Sequence, residues 1–279
     1  MDGQLSKSEI TLDIDTGQVR KRLTDFLNSK ITNAGFKNAV IGVSGGVDSA
    51  LTCFLTAEAL GPENVLAVIM PYKTSAPDTL EHAKLVIKIT GVHEITIPIT
   101  ESVDALFAHL PKADRIRLGN AMARMRMIAL YDMSVSFNGL VIGTGNKTEI
   151  LLGYTTLYGD SACAMNPLGD LYKTQVRQLA KAVGVPEVII AKPPSADLWV
   201  GQTDEDELGF TYEEVDRLLL LLVDRGLQPQ ACIKYGFSPE FVDAVIDRIQ
   251  RTKFKRIQPP IAKLGFHSAR SDTIPSPDL

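Results

Sequence analysis

Apolar and polar positions along this chain fall into two repeating patterns. Residues 17–34 place Val19, Leu23, Phe26, Leu27 and Ile31 on one face at helical spacing, which predicts a first amphipathic helix. Ala39-Val40-Ile41-Gly42-Val43 is a short unbroken apolar run, as expected of a parallel strand buried on both faces. A helical pattern over 48–60 follows and stops at Gly61-Pro62. Val65 to Met70 predicts a second strand, 78–90 a helix, 93–97 a third strand, 116–137 a long helix and 140–143 a fourth strand. Strands alternating with helices predict an α/β fold with a doubly wound parallel sheet. After residue 150 the pattern is less regular, and 172–183 and 211–223 read as additional C-terminal helices. Residues 192–207 between them form a long polar stretch that holds the only tryptophan, Trp199, and reads as a lid. No repeat or low-complexity linker interrupts the chain, so 1–279 reads as a single domain.

Open parallel sheets collect ligands outside the carboxyl ends of their strands. Three polar, small-residue segments follow predicted strands, at 44–49, 71–77 and 144–149, and they are expected to converge on one edge.

Composition narrows the classes. A chain of 279 residues, 45% hydrophobic and 22% charged, has the make-up of a soluble globular protein. Its net charge of −4 argues against nucleic acid as a partner. No apolar run approaches the roughly 18 residues of a membrane span. Residues 1–8 lack the basic-then-apolar order of a signal peptide. Cys53, Cys163 and Cys232 form no C-x-x-C pair, so neither a zinc site nor a redox pair is expected. Three scattered cysteines fit a reducing compartment, and a cytoplasmic location is expected.

The chemistry concentrates in Ser44-Gly45-Gly46-Val47-Asp48-Ser49, between a predicted strand and a helix start. Glycines let backbone approach an anion, and the N–H groups of a first helical turn point at it. Asp48 does not suit a bare phosphate, but it suits one that arrives with a divalent metal. The stretch is not a Walker A loop, since no lysine follows the glycines.

Ser-Gly-Gly-x-Asp-Ser resembles the pyrophosphate loop of the N-type ATP pyrophosphatases. That resemblance implies an adenine nucleotide alpha hydrolase-like fold and cleavage of ATP between its α and β phosphates. Further blocks are similar to one branch of that family, the NAD synthetases. They are Gly119 to Met127 with Leu130-Tyr131, Gly143-Thr144-Gly145-Asn146-Lys147-Thr148-Glu149, and Gly153 to Asp160. Leu171 to Arg177, Pro194 to Leu198 and Gly201 to Glu205 complete the series, so the likeness covers about residues 40–256.

The resemblance implies conversion of deamido-NAD, ATP and ammonia to NAD, AMP and diphosphate, through an acyl-adenylate whose leaving group is AMP. By the same likeness Ser44, Gly45, Gly46, Val47, Asp48 and Ser49 would hold ATP's departing pyrophosphate. Asp48 and Glu149 would ligate Mg2+, and Lys173 would meet the ATP phosphates as a point charge. Thr144 and Ser195 match positions near ATP, and Asn120, Arg124, Tyr131 and Asp160 match the deamido-NAD site. Asp48, Glu149 and Lys173 are thus the implied catalytic residues. The family also implies a homodimer, with the methionine-rich face of helix 116–137 as its contact.

Fewer than 40 residues precede the first strand, too few for the amidase domain of glutamine-using relatives. No glutaminase domain is therefore expected, and the nitrogen comes as free ammonia or from a separate glutaminase subunit. Lys147 reads as an added phosphate contact, and 71–77 keeps the family's loop position without all of its side chains. Lys253, Lys255 and Arg256 fit either a substrate-phosphate contact or a solvated basic helix end. Two other functions fit the loop alone. One is a different AMP-forming ligase, either a GMP-synthetase-like amidotransferase core or a tRNA-modifying enzyme. The other is a nucleotide-sensing module, against which the Asp48–Glu149 pair weighs.

Overall fold

The sheet follows directly from the apolar runs. β1 (Asn38–Gly42), β2 (Val65–Ile69), β3 (His93–Thr96) and β4 (Gly139–Ile142) pair in parallel in the order β3-β2-β1-β4. The computed structural model describes residues 7, 10–110, 113–195 and 203–262. Side chains of β1 alternate between two cores. Ala39 and Ile41 join one cluster with α1 (Thr16–Asn33), α2 (Val47–Leu60), α3 (Pro77–Thr90), α7 (Lys173–Val183) and α8 (Glu187–Ile190). Val40 joins another with α4 (Thr100–Ala108) and α5 (Arg115–Ser136). Two-faced burial is what the continuous apolar strands require, and the doubly wound arrangement follows.

A third cluster is built from the C-terminal helices α9 (Asp204–Leu208), α10 (Tyr212–Leu219), α11 (Pro229–Lys234) and α12 (Pro239–Arg251), together with α6 (Lys147–Leu152). The helix expected over 211–223 is α10 continued by a π-helical turn at Leu220–Asp224. The polar stretch 192–207 ends in helix rather than loop, because Thr203 caps α9 by accepting from the Asp206 N–H. Residues 196–202, with Trp199, lie outside the described residues, so the lid expectation concerns a segment described only at its ends.

Strand order reverses between β1 and β4. The chain runs outward from β1 to β3, then returns to β1's other side. Such a switch point opens a crevice at the carboxyl ends of the two strands. No helix among the described residues is long and apolar enough to cross a membrane.

Candidate active site

The loop leaving β1 is shaped by close packing. Gly45 takes φ +78°, and a Cβ there would lie 2.3 Å from the Thr79 carbonyl oxygen of α3. Only glycine allows both the turn and the approach. Gly46 stands at the N-cap of α2, so no side chain caps that helix, and the first-turn N–H groups suit an anion. The Ser49 hydroxyl sits inside the turn. It donates to the Gly46 carbonyl at 3.0 Å, accepts from the Ser44 N–H at 3.1 Å and lies 3.1 Å from the Ser44 Oγ. Ser49 is buried and holds the turn's shape, and it also lines the cleft described below.

β4 delivers the second loop. Asn146 caps α6 in a reciprocal box: its Oδ1 accepts from the Glu149 N–H at 3.0 Å, and Glu149 Oε2 accepts from the Asn146 N–H at 3.2 Å. The Asn146 amide also donates to Asp48 Oδ1 at 2.9 Å. Lys173 enters from the first residue of α7, only 3% exposed, with Nζ 2.5 Å from Asp48 Oδ2 and 3.2 Å from Glu149 Oε1. Its ammonium sits 5.2 Å from the centre of the Tyr212 ring. All three implied catalytic residues therefore meet at one point, with Lys173 bridging the two carboxylates.

Electrostatics at this point are lopsided. Burial raises the Glu149 carboxyl most, the Lys173 ammonium opposes it, and Asp48 and Asp204 add to the rise, leaving it pushed up to about 8. Burial works against the charge on Lys173, but Asp48, Glu149 and Asp204 outweigh it and hold the ammonium above its usual range. Three carboxylates thus act on one cation in a dry corner. A carboxyl that holds its proton this tightly marks a place where added positive charge is favoured, whether a proton or a metal ion. Asp48 and Glu149 offer the hard oxygen donors that Mg2+ takes. Among the described residues no group of three or more His, Cys, Asp or Glu side chains is arranged for a metal. The donor set therefore fits an ion that brings phosphate oxygens with it.

Beside this floor opens a cleft of about 1300 Å³, larger than the 300–1,000 Å³ typical of a single small-ligand pocket. It is lined by parts of all three loops expected to converge, including Ser44, Gly46, Val47, Thr74, Ser75 and Thr144. Ser195 also lines it; Gly45 does not, since its surface faces α3.

The far wall joins α5 to residues 154–161. Asn120 Oδ1 accepts from the Thr156 hydroxyl at 2.8 Å, and the Arg124 guanidinium donates to the Leu157 carbonyl at 3.3 Å. Asp160 accepts from the Thr155 hydroxyl and the Thr156 N–H, both at 2.7 Å. Asn120 and Asp160 line the cleft; Tyr131 is 40% exposed, and neither it nor Arg124 is part of the lining.

The structure bears on three further expectations. Lys147 turns away from the phosphates: its Nζ is 2.7 Å from Asp224 and 3.1 Å from Asp170, over the Tyr172 ring. Lys253 is exposed, as a solvated helix end would be, whereas Lys255 and Arg256 are tied to backbone carbonyls, and Lys255 also lines the cleft. Lys255 donates to the Gly153 and Thr155 carbonyls, and Arg256 to those of Leu151 and Ile249, including the open carbonyl end of α6. The methionine face of α5 points inward, with Met122 fully buried and Met125 and Met133 packed on the same core. Its outward face carries Ile116, Ile128, Tyr131 and Val135.

Sequence reasoning missed Asn146, Asp204, Tyr212 and the cleft-lining Arg126 and Lys192 as site residues. Asn146 carried a signal of its own, the Asn-x-x-Glu spacing of a capping box, and Arg126 and Asp204 lay inside the family-like blocks without being singled out.

Comparison with known proteins bears on this cleft. Residues 19–259 match the family model described as NAD synthase. The chain is 55% identical over 261 residues to the NH(3)-dependent NAD(+) synthetase of Trichlorobacter lovleyi, covering 94% of this chain and 96% of that one. Among solved structures it is similar to an NMN synthetase from Francisella tularensis, with a TM-score of 0.81 and 33% identity over 90% of this chain and 99% of that one. It is also similar to the NH3-dependent NAD synthetase of Campylobacter jejuni, with a TM-score of 0.77 and 34% identity over 90% and 100% of the two chains.

Proposed function

The chain belongs to the NAD synthase family, and we propose from that premise that it converts deamido-NAD, ATP and ammonia to NAD, AMP and diphosphate. One observation carries the reading at residue level: the Lys173 ammonium joins Asp48 and Glu149 beside an open helix start, at the floor of a cleft with room for two substrates.

Each step asks something of these residues. A carboxylate does not react with ammonia directly, because its leaving group would be oxide. Attack of the nicotinate carboxylate on the α-phosphate forms an acyl-adenylate and releases pyrophosphate, and ammonia then displaces AMP. Both steps gather negative charge on phosphate oxygens, which is where preset cations and N–H donors act most strongly. The backbone of residues 44–49 offers the N–H donors, and Lys173 offers a fixed positive charge. Asp48 and Glu149 would hold Mg2+, which when bound neutralises and orients phosphate oxygens. Asn120, Arg124 and Asp160 hold the 154–161 segment as a wall for deamido-NAD.

Relatives that this chain covers nearly end to end are named NH3-dependent, which supports free ammonia as donor without a glutaminase subunit. The outward apolar face of α5 supports a homodimer, and Tyr131 would reach a dinucleotide only across that interface. Val135→Asp is expected to yield monomers in sedimentation, and an unchanged wild-type monomer would remove the dimer. Three free cysteines, two of them buried, support a reducing cytoplasm.

The deciding experiment supplies Mg-ATP, ammonium chloride and either deamido-NAD or nicotinate mononucleotide to the purified protein. NAD formed one-for-one with AMP and diphosphate is the expected result. Turnover of the mononucleotide alone would move the chain to the activity named for the Francisella relative.

A further inference from the structure

α10 sends two side chains toward the reaction floor from one face, Tyr212 and, one turn later, Asp216. Tyr212 lies under the Lys173 ammonium. Asp216 is fully buried and makes no contact with the cleft; it is absent from the cleft's lining residues. Its carboxylate instead ties two helix starts together. Oδ1 accepts from the Thr148 hydroxyl at 2.6 Å, and Oδ2 accepts from both the Thr174 N–H and the Thr174 hydroxyl at 2.9 Å. Thr148 Oγ1 in turn accepts from the Lys173 N–H at 3.0 Å.

The sequence neighbours of these partners give the arrangement its meaning. Thr148 precedes Glu149 on α6, and Thr174 follows Lys173 on α7. A backbone bond from the Lys147 N–H to the Leu171 carbonyl at 2.8 Å joins the two helix starts on one side, and the Asp216 carboxylate adds a second tie at the residue beside each charged group. Tyr172, at the N-cap of α7, makes no side-chain cap, so the first two N–H groups of α7 are satisfied from outside, by Thr148 and by Asp216. A buried carboxylate at a helix start also gains from the helix dipole. A planar carboxylate accepts on both oxygens at once, with a fixed distance between them, so one side chain reaches both helix starts at a set spacing.

We infer that Asp216 is a positioning residue for the reaction, fixing the separation of Glu149 and Lys173 by clamping the residue beside each. It touches neither substrate nor reacting atoms. Its effect passes through the two threonines to the carboxylate and the ammonium that meet at Asp48. The assay rests on the function proposed above, whereas the binding measurement below does not.

The test compares wild type, Asp216→Asn and Asp216→Ala in NAD formation, in calorimetric binding of Mg-ATP and in thermal unfolding. Loss of outer-shell support at such sites costs about 10- to 100-fold in activity or affinity. Asp216→Ala is expected to lower kcat and Mg-ATP affinity within that range. The KM for deamido-NAD, whose wall lies on α5, should stay within about threefold. Asp216→Asn keeps the shape and two acceptor contacts, so it should recover most of the loss. Unchanged kcat and Mg-ATP affinity in the alanine variant would overturn the inference. So would losses that raise every KM alike and simply follow the fall in unfolding midpoint. If the alanine variant does not fold, Thr174→Val, which removes one donor to Asp216, carries the same test: a lower kcat at unchanged deamido-NAD KM supports the clamp, and unchanged kcat overturns it. If wild type makes no NAD, the proposed function falls, and the order of Mg-ATP affinities still decides the clamp.

Discussion

At the phosphate end of the cleft, Lys173 is 3% exposed and held by two carboxylates, while at the opposite end Asn120, Arg124 and Asp160 stand partly in solvent and bind hydroxyls and backbone. The first end is a knot of desolvated charge built from α2, α6 and α7. The second is a wall of ordinary hydrogen bonds between α5 and a loop. Charge that must be ready when a phosphate bond breaks has to be fixed beforehand, because reorganising it during reaction raises the barrier. Contacts that only hold a substrate need no such preparation and act alike before and during reaction. The difference predicts that damage at the two ends is read out in different kinetic constants.

The sharpest way to break that contrast is Lys173→Ala. Removing one partner of a buried ionic group costs about 3–5 kcal/mol of stability, and losing preset transition-state stabilisation costs about 10²–10³-fold in kcat. Urea unfolding and initial rates at saturating substrate check both parts. A variant with normal kcat would mean that the floor is structural only. Next in size is a pH effect beneath the floor. Burial pushes the Asp216 carboxyl up to about 6 from an ordinary 3.8, against the pull of Thr148 and Thr174 and with a smaller push from Glu213. The folded state then binds this proton more tightly than the unfolded chain. The resulting stability is fully present below pH 3.8 and lost as pH rises through 6. Relative to Asp216→Asn, wild type should lose about 2 kcal/mol between pH 4 and 7, at 1.36 kcal/mol for each pKa unit. Unfolding of both proteins across that range is the measurement.

Much of the phosphate end was legible because its residues sit in a contiguous motif with the right strand and helix around it. The family resemblance names Asp48 and Glu149, and both follow apolar runs that form the adjacent strands β1 and β4. What joins them was not legible. Lys173 meets Asp48 across 125 positions and Asn146 meets Asp48 across 98, separations at which local pattern carries no information. Short helices escaped for another reason: α6 and α9 have six and five residues, too few turns to show a period. α12 is different. Val242, Val245, Ile246 and Ile249 repeat at helical spacing and pack in the C-terminal cluster, so that signal was present and unread. The inward turn of the α5 methionines had no signature either, since the apolar residues nearly encircle that helix.

Two smaller tests refine the comparison. Gly45→Ala forces a left-handed residue and a Cβ against the Thr79 carbonyl. The backbone part alone costs about 1–2 kcal/mol, and the displaced loop should raise the KM for ATP while leaving that for deamido-NAD unchanged. Asn120→Ala removes an acceptor from the far wall at a cost of about 1 kcal/mol. It should raise the KM for deamido-NAD several-fold with kcat nearly constant, as expected for uniform binding. A fall in kcat instead would mean that the wall, too, is tuned to the reaction.

The separations that hid the floor from sequence also govern when it comes into being. The stretch of chain through β3 carries the whole phosphate loop, with its glycines and open helix start. It has no Glu149, no Lys173 and no α10 to seat them. Long-range closures of this kind are among the last contacts a chain makes. The groups placed to act on a phosphate bond therefore come together only in the finished molecule.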